Sequence, residues 1–120
     1  MYNEEIAPAT NMTDLILVLT TVGVDSPAEQ LAHQLVEEHL AACVNILPPM
    51  LSLYRWKDGI ERDSERQVVI KTTRSRLEAL ERRLRELHSY ELPELIVFSA
   101  EGGSDAYLNW VREAVGSPRG

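Results

Sequence analysis

The sequence is short of the residues that would advertise a reactive centre. It holds one cysteine, Cys43, so no disulfide can close within the chain, and a lone thiol suits a reducing compartment. Phe98 is the single phenylalanine, and aromatic residues make up 6% of the chain. RNA-recognition modules need aromatics on their central strands. Positive charge is also scarce: 12 Lys and Arg stand against 19 Asp and Glu, for a net charge of −7. That balance opposes binding to phosphate backbones and favours mobile cations. No apolar run approaches the roughly 18 residues of a membrane span, and the polar start has no basic stretch leading into an apolar core. Glycine-rich phosphate loops, Cys-x-x-Cys pairs and His-Glu-x-x-His are missing. The expected setting is the cytoplasm, without a nucleic-acid or membrane partner.

What is present is organised around residues 41–72. Ala41-Ala42-Cys43-Val44-Asn45-Ile46-Leu47 leads to a Pro48-Pro49 break, then Met50-Leu51-Ser52-Leu53-Tyr54-Arg55-Trp56. Lys57-Asp58-Gly59 turns the chain, and Glu65–Thr72 runs back. Asp-Gly between β-rich segments is a hairpin signal, with Gly59 expected to supply φ > 0. Each arm exceeds the usual strand of about 5–6 residues, so the ribbon is expected to overhang its own domain and to need a partner.

In chain order, residues 1–13 lack periodicity and read as a disordered leader. Leu15–Thr20 is a continuous apolar run of strand length. Ser26-Pro27-Ala28-Glu29 reads as a capping box with proline at the first helical position. Ala28, Leu31, Ala32, Leu35 and Val36 then form an apolar stripe. Ser75-Arg76-Leu77-Glu78 repeats the capping pattern ahead of Leu77, Leu80, Leu84 and Leu87. Leu92 precedes proline and is pushed towards extended backbone. Residues 94–100 form the fourth strand, and Ser104 or Asp105 caps a last helix before a loose tail at 116–120. The order β-α-β-β-α-β plus a C-terminal helix predicts an α+β, ferredoxin-like domain over residues 14–115. Right-handed crossovers would place both main helices on one sheet face. Alternation then assigns Ala42, Val44, Ile46, Val68 and Ile70 to that face, and Cys43, Asn45, Val69 and Lys71 to the other. The proline break hides the parity of Tyr54 and Trp56.

Several side chains compete for a functional role. Cys43, flanked by apolar residues, also reads as a small core hydrophobe. His88, at a helix end, also reads as a cap. His33 and His39 read as surface residues beside the first helix, and Glu91 and Glu94 as solvated loop carboxylates flanking Pro93. Lys71, inside an apolar strand, must pair, snorkel or face an anion. Tyr54 and Trp56 near a turn read as interface anchors.

Ala41-Ala42-Cys43-Val44-Asn45-Ile46, Ser52-x-Tyr54-x-Trp56-x-x-Gly59-Ile60, Lys71-Thr72 and His88-x-Tyr90-Glu91-x-Pro93-Glu94 together resemble the signature blocks of the CutA divalent-cation-tolerance family. Gly103-Ser104-x-x-Tyr107-Leu108-x-Trp110 is similar to its closing block. The likeness spans residues 14–115, with Ser89 where the family usually carries proline. The resemblance implies a homotrimer of PII-like architecture with interlocked ribbons, and Tyr54 and Trp56 in the trimer interface. It implies a role in metal tolerance and binding of copper or another divalent ion, with no catalytic reaction. Cys43 and His88 are its metal-ligand positions, with Glu91 available to complete the set. Trp56, Lys71 and Tyr90 match an inter-subunit cleft. The alternative it leaves open is a PII-like module that binds a small anionic effector through Lys71.

Overall fold

A single strand of 15 residues sets the dimensions of the molecule. The computed structural model describes residues 13–116, so the expected leader, apart from Thr13, and the tail beyond Gly116 lie outside the described residues. The elements are β1 (Leu15–Gly23), α1 (Ala28–Glu37), β2 (Cys43–Ile46), β3 (Met50–Trp56), β4 (Gly59–Thr73), α2 (Leu77–Leu87, entered through a 3-10 turn at Arg74–Arg76), β5 (Ile96–Ser99) and α3 (Asp105–Val115). The sheet order is β2-β4-β1-β5, with β3 continuing along β4 beyond β2. Every pairing is antiparallel. This is the ferredoxin-like α+β arrangement.

β4 works in two halves. From Glu65 to Thr73 it pairs with β1, and over Val68–Lys71 also with β2; from Gly59 to Ser64 its partner among the described residues is β3. The outer half is a bare ribbon. The longest dimension is 48 Å and the radius of gyration 15.9 Å, where a compact chain of this size has about 13 Å.

The Pro48-Pro49 break shifts the pairing by one residue. Ile46 opposes Val68 and Met50 opposes Glu65, so three residues bridge a gap that two span on β4. Such a bulge, at a place where proline cannot donate to the ladder, inverts the alternation. Val44 and Ile46 face the helices with Val68 and Ile70, as expected. Beyond the bulge, Met50, Ser52, Tyr54 and Trp56 fall on the opposite face, in line with Glu65, Gln67, Val69 and Lys71. The hairpin turn also differs from expectation. Trp56 pairs with Gly59, and the positive φ belongs to Lys57 (57°), so Gly59 already lies in the strand.

Both main helices cover one face. Leu31 and Leu35 of α1 and Leu80 and Leu84 of α2 close over Ile16, Val18, Val68 and Ile70 in one buried cluster. Neither expected capping box forms. Pro27 and Arg76 occupy the N-cap positions, without a side-chain cap bond. The hydroxyl of Ser75 instead lies 3.0 Å from that of Thr73. At the other end of α1, Leu40 N–H donates to Leu35 O and His39 N–H to Val36 O, both at 3.0 Å. That is the Schellman termination, and His39 takes the left-handed position at φ 61°. Ser104 does cap α3, accepting from Tyr107 N–H at 3.2 Å.

α3 covers one end of the second face. Leu108, Val111 and Val115 pack on Leu15, Leu17, Ala42 and Ala100. Ala42 was expected beneath the main helices; instead Ala41 is there, because the pleat begins only at Cys43. The start of β1 is tied to α3 by Asp14 and Arg112, whose Nη2 lies 2.8 Å from Asp14 Oδ1. The bond from Arg112 holds the Asp14 carboxyl below its usual range. A depressed folded pKa adds stability above the unfolded value of about 3.9 and loses it as pH falls through the folded value. The pair is half-exposed, so Arg112→Ala should lower stability near neutral pH by roughly 0.5 kcal/mol. The deficit should vanish well below the carboxylate range, as urea unfolding at both pH values would show.

Candidate functional site

The inverted parity beyond the bulge creates a cleft. The ribbon face bearing Met50, Ser52, Tyr54 and Trp56 forms one wall, and the loop Tyr90–Leu95 forms the other, above Thr21, Glu65 and Gln67 of the sheet. The cleft, open to solvent, has a volume of 790 Å³. A second cavity of 350 Å³ lies behind the loop, against Glu81, Leu84 and Arg85 of α2. The Tyr90–Leu95 segment is therefore a partition with space on both sides.

His88 anchors that partition. Its Nδ1 lies 3.0 Å from Tyr90 N–H, which donates to it, and its Nε2 lies 2.6 Å from Thr21 O. With Nδ1 accepting, the ring proton belongs on Nε2, donating to Thr21 O. Both nitrogens are engaged in fixing where the loop leaves α2. The helix end itself is closed by the backbone, His88 N–H donating to Leu84 O at 2.8 Å. The imidazole is thus a loop strut rather than a side-chain cap.

The next fixed point is Tyr90, whose phenol donates to Glu65 Oε2 at 2.7 Å. Glu65 is only 7% exposed. Burial and the Glu65 carboxylate push the Tyr90 phenol far up. Gln67 Nε2 donates to Thr20 O (2.8 Å) and to Glu94 Oε2 (3.2 Å), so Glu94 is drawn to the sheet. Farther out, Tyr54 donates its phenol proton to Asp63. That bond raises the Tyr54 pKa to about 12. The charged groups lining the cleft are Glu65, Glu91, Glu94 and Arg55.

The expected site residues divide between two places. Trp56, Tyr90, Glu91 and Tyr54 line the cleft. Lys71 does not; it pairs across the strands with Cys43 and holds its ammonium 6.0 Å from the Tyr107 ring. Cys43 is half-buried, and its hydrogen-bonding neighbour among the described residues is Asn45 Oδ1 at 3.8 Å. Cys43 aligns through Lys71 with Leu17, four residues from Thr21, which separates the Cys43 and Thr21 backbones by roughly 16 Å. One protomer therefore does not bring Cys43 and the His88 ring together. Among the described residues, no three His, Cys, Asp or Glu side chains converge as a metal site. His33 is on the surface of α1 beside Glu37. His39 Nδ1 lies 3.1 Å from Ala114 O, bridging to α3.

Glu65, Gln67, Met50 and Arg55 were not among the expected site residues. Extending the β4 alternation outward from Lys71 and Val69 reaches Gln67 and Glu65. Met50 could be added only once the bulge was counted.

This architecture recurs in known proteins. Residues 16–114 match the family described as CutA1 divalent ion tolerance protein. The chain belongs to the CutA1 family. It is 41% identical over 100 residues to the divalent-cation tolerance protein CutA of Thermus thermophilus, covering 83% of this chain and 97% of that protein. It is also 41% identical over 99 residues to the chloroplastic CutA of Arabidopsis thaliana, where the match covers 82% of this chain but 54% of the longer relative. Among solved CutA structures, that from Xylella fastidiosa is 40% identical, with a TM-score of 0.83 over 87% of this chain and all of that one (100%). One from Archaeoglobus fulgidus, described as a periplasmic divalent cation tolerance protein, is 30% identical with a TM-score of 0.81 over 85% of this chain and 99% of that one. Relatives are thus described for more than one compartment.

Two measurements check the struts of the cleft. His88→Ala leaves Thr21 O and Tyr90 N–H without their partner and should cost about 1–3 kcal/mol of stability, read by urea unfolding. Separately, tyrosinate absorbance should show Tyr54 titrating near 12, identified by its disappearance in Tyr54→Phe. Asp63→Asn should return it towards about 10. A raised phenol pKa means the bond's stability is complete below the unfolded value and lost as pH rises through the folded one.

Proposed function

We propose that this CutA1 protein acts as a homotrimer in divalent-metal homeostasis, holding copper or another divalent ion at sites completed between copies of the chain. The cytoplasm is its proposed compartment, and its role is binding without a chemical transformation. The observation that carries the reading is the uncovered apolar surface of the ribbon. Leu51, Leu53 and Ile60 share its outer face and are 53%, 63% and 68% exposed. Among the described residues both ribbon edges lack further strands, and edges of this kind recruit another chain. Ile96, Phe98 and Trp110 extend the apolar surface elsewhere, as expected of an interface rather than a solvated wall.

The donor chemistry fits metals of the copper type, but not as one intramolecular cluster. Cys43 offers a sulfur suited to Cu(I), and Glu91 a free carboxylate suited to harder ions. His88 can ligate only by giving up a bond to Thr21 or Tyr90. Assembly supplies what one protomer lacks: it can bring ligands from neighbouring copies to each other. The anionic-effector alternative gains nothing from the geometry, because Lys71 is outside a cleft whose carboxylates outnumber its cations.

Light scattering after size exclusion should give a trimeric mass at micromolar concentration, and deletion of residues 52–61 should abolish it. A monomeric mass for the intact chain would overturn the assembly. Copper titration should show Cu(I) affinity falling in Cys43→Ala and Cu(II) affinity falling in Glu91→Gln, in trimeric samples only. Unchanged copper affinity in the double variant would remove both ligands from the reading. A loss of copper by His88→Ala, measured on the folded fraction, would restore the imidazole to the ligand set.

A further inference from the structure

We propose that His88 governs metal capture as a positioning residue and not as a ligand: its imidazole fixes the loop that carries Glu91 and acts on the ion through that carboxylate alone. This rests on the reading of Glu91 as a ligand. It departs from the family resemblance, which puts His88 itself on the metal.

A neutral imidazole has one nitrogen with a lone pair to donate and one N–H, and a metal ion needs that lone pair. In His88 the Nδ1 lone pair accepts from Tyr90 N–H at 3.0 Å. Nε2 carries the proton and donates to Thr21 O at 2.6 Å. A ligating histidine commonly gives its second N–H to a backbone carbonyl and keeps the other nitrogen for the metal. Thr21 O meets the first half of that pattern, but the Tyr90 amide stands where the metal would be. The imidazole also packs against the Tyr90 ring, with centroids 4.9 Å apart, so a third contact holds its orientation.

Those bonds join a fixed element to a movable one. Thr21 belongs to β1 and is buried, whereas Tyr90 opens the loop. His88 therefore carries the position of the sheet to the loop backbone one residue before Glu91. The Tyr90 phenol adds its bond to Glu65 Oε2 at 2.7 Å, and Gln67 Nε2 holds Glu94 Oε2 at 3.2 Å. Glu91 lies between these fastenings, is exposed, and forms no ion pair among the described residues. Its carboxylate is thus held in place by its neighbours without being neutralised by them.

The backbone does not supply this order by itself. Ser89 separates His88 from Tyr90, and serine does not fix φ as a proline would. The path from α2 to Glu91 therefore depends on the imidazole bonds. A binding group must be held within about 0.5 Å of its productive position. Residues that orient a ligand without touching the metal typically change affinity by about 10–100-fold. That is the effect expected of His88.

The test is a double-mutant cycle in Cu(II) affinity on the full-length protein, with hydrogen exchange at the Tyr90 amide as a second readout. Glu91→Gln and His88→Ala should each weaken Cu(II) binding about tenfold or more. In the Glu91→Gln background, His88→Ala should cost nothing further, because its effect passes through the missing carboxylate. Copper loss in His88→Ala alone fits a ligand and a strut equally; the cycle separates them. Cu(II) loading of the native chain should leave Tyr90 amide exchange unchanged or slower, since the acceptor stays in place. His88→Asn offers Tyr90 N–H an amide oxygen, a donor less suited to copper than imidazole. It should bind Cu(II) more tightly than His88→Ala, and it stands in where alanine unfolds the loop. A further loss in the double variant, or faster Tyr90 exchange on loading, would put the imidazole on the metal and overturn the proposal. So would unchanged affinity in His88→Ala, or His88→Asn binding no more tightly than alanine. Unchanged affinity in Glu91→Gln would overturn the reading of Glu91 as a ligand, and this proposal with it.

Discussion

A strand as long as β4 cannot be buried along its whole length by a chain of this size. Its 15 residues need roughly 50 Å, and two helices of 10 and 11 residues cover only about 15–17 Å each. The inner half, with β1 and β2 as neighbours, has enough partners to be core: Val68 and Ile70 are fully buried. The outer half has β3 alone. A two-stranded ribbon without further packing is marginal in water, so its order depends on cover from outside the protomer or on its cross-strand pairs. The Tyr54–Asp63 bond is one such pair.

The bulge at Pro48-Pro49 gives the overhang its chemistry. With regular alternation, Met50, Tyr54 and Trp56 would continue the face of Ile46 and project on the helix side of the sheet. One extra residue sends them to the other side, opposite Glu65, Glu61 and Gly59 respectively. Aromatic rings and carboxylates thereby share a surface. Proline suits this position because it removes ladder donors where the pairing is already broken. Leu51 and Leu53, both exposed, take the reverse face with Ile60, beside Arg55, Arg62 and Ser64.

Element types and sheet topology were legible in the sequence because periodicity carries them. The apolar run of β1, the leucine stripe of α2 and the alternation around Val68 and Ile70 each had one consistent reading. Capping was less legible. Ser26 and Ser75 look like N-caps, but Pro27 delays α1 and the 3-10 turn at Arg74–Arg76 delays α2, carrying both hydroxyls away from the first free amides. The C-terminus of α1 was obscured because a histidine stands where glycine would signal the left-handed position. The site was legible as a set of residues and not as a place. Motif blocks group Cys43, Lys71, His88 and Trp56, whereas register separates Cys43 and Lys71 from the cleft by several strand positions. Glu65 and Gln67 were visible only as the outward continuation of the Val69 and Lys71 alternation.

That separation divides the second sheet face into two chemical districts. At one end, α3 lies over Leu15, Leu17 and Ala42, and beside it the cross-strand Cys43–Lys71 pair and Tyr107 combine a thiol, a cation and a ring. At the other end the loop from α2 crosses Thr21 and Glu65, with His88 and Tyr90 as its two posts. The posts act through different chemistry. His88 binds main-chain atoms on both sides and so fixes the backbone path, while Tyr90 binds a side chain and so orients Glu65. A change at His88 therefore moves the whole cleft wall, whereas a change at Tyr90 frees one carboxylate and leaves the path of the wall to His88. Ser89 lies between them without a fixed φ, where a proline would hold φ near −65°. The two posts must supply the rigidity that the backbone at that position does not.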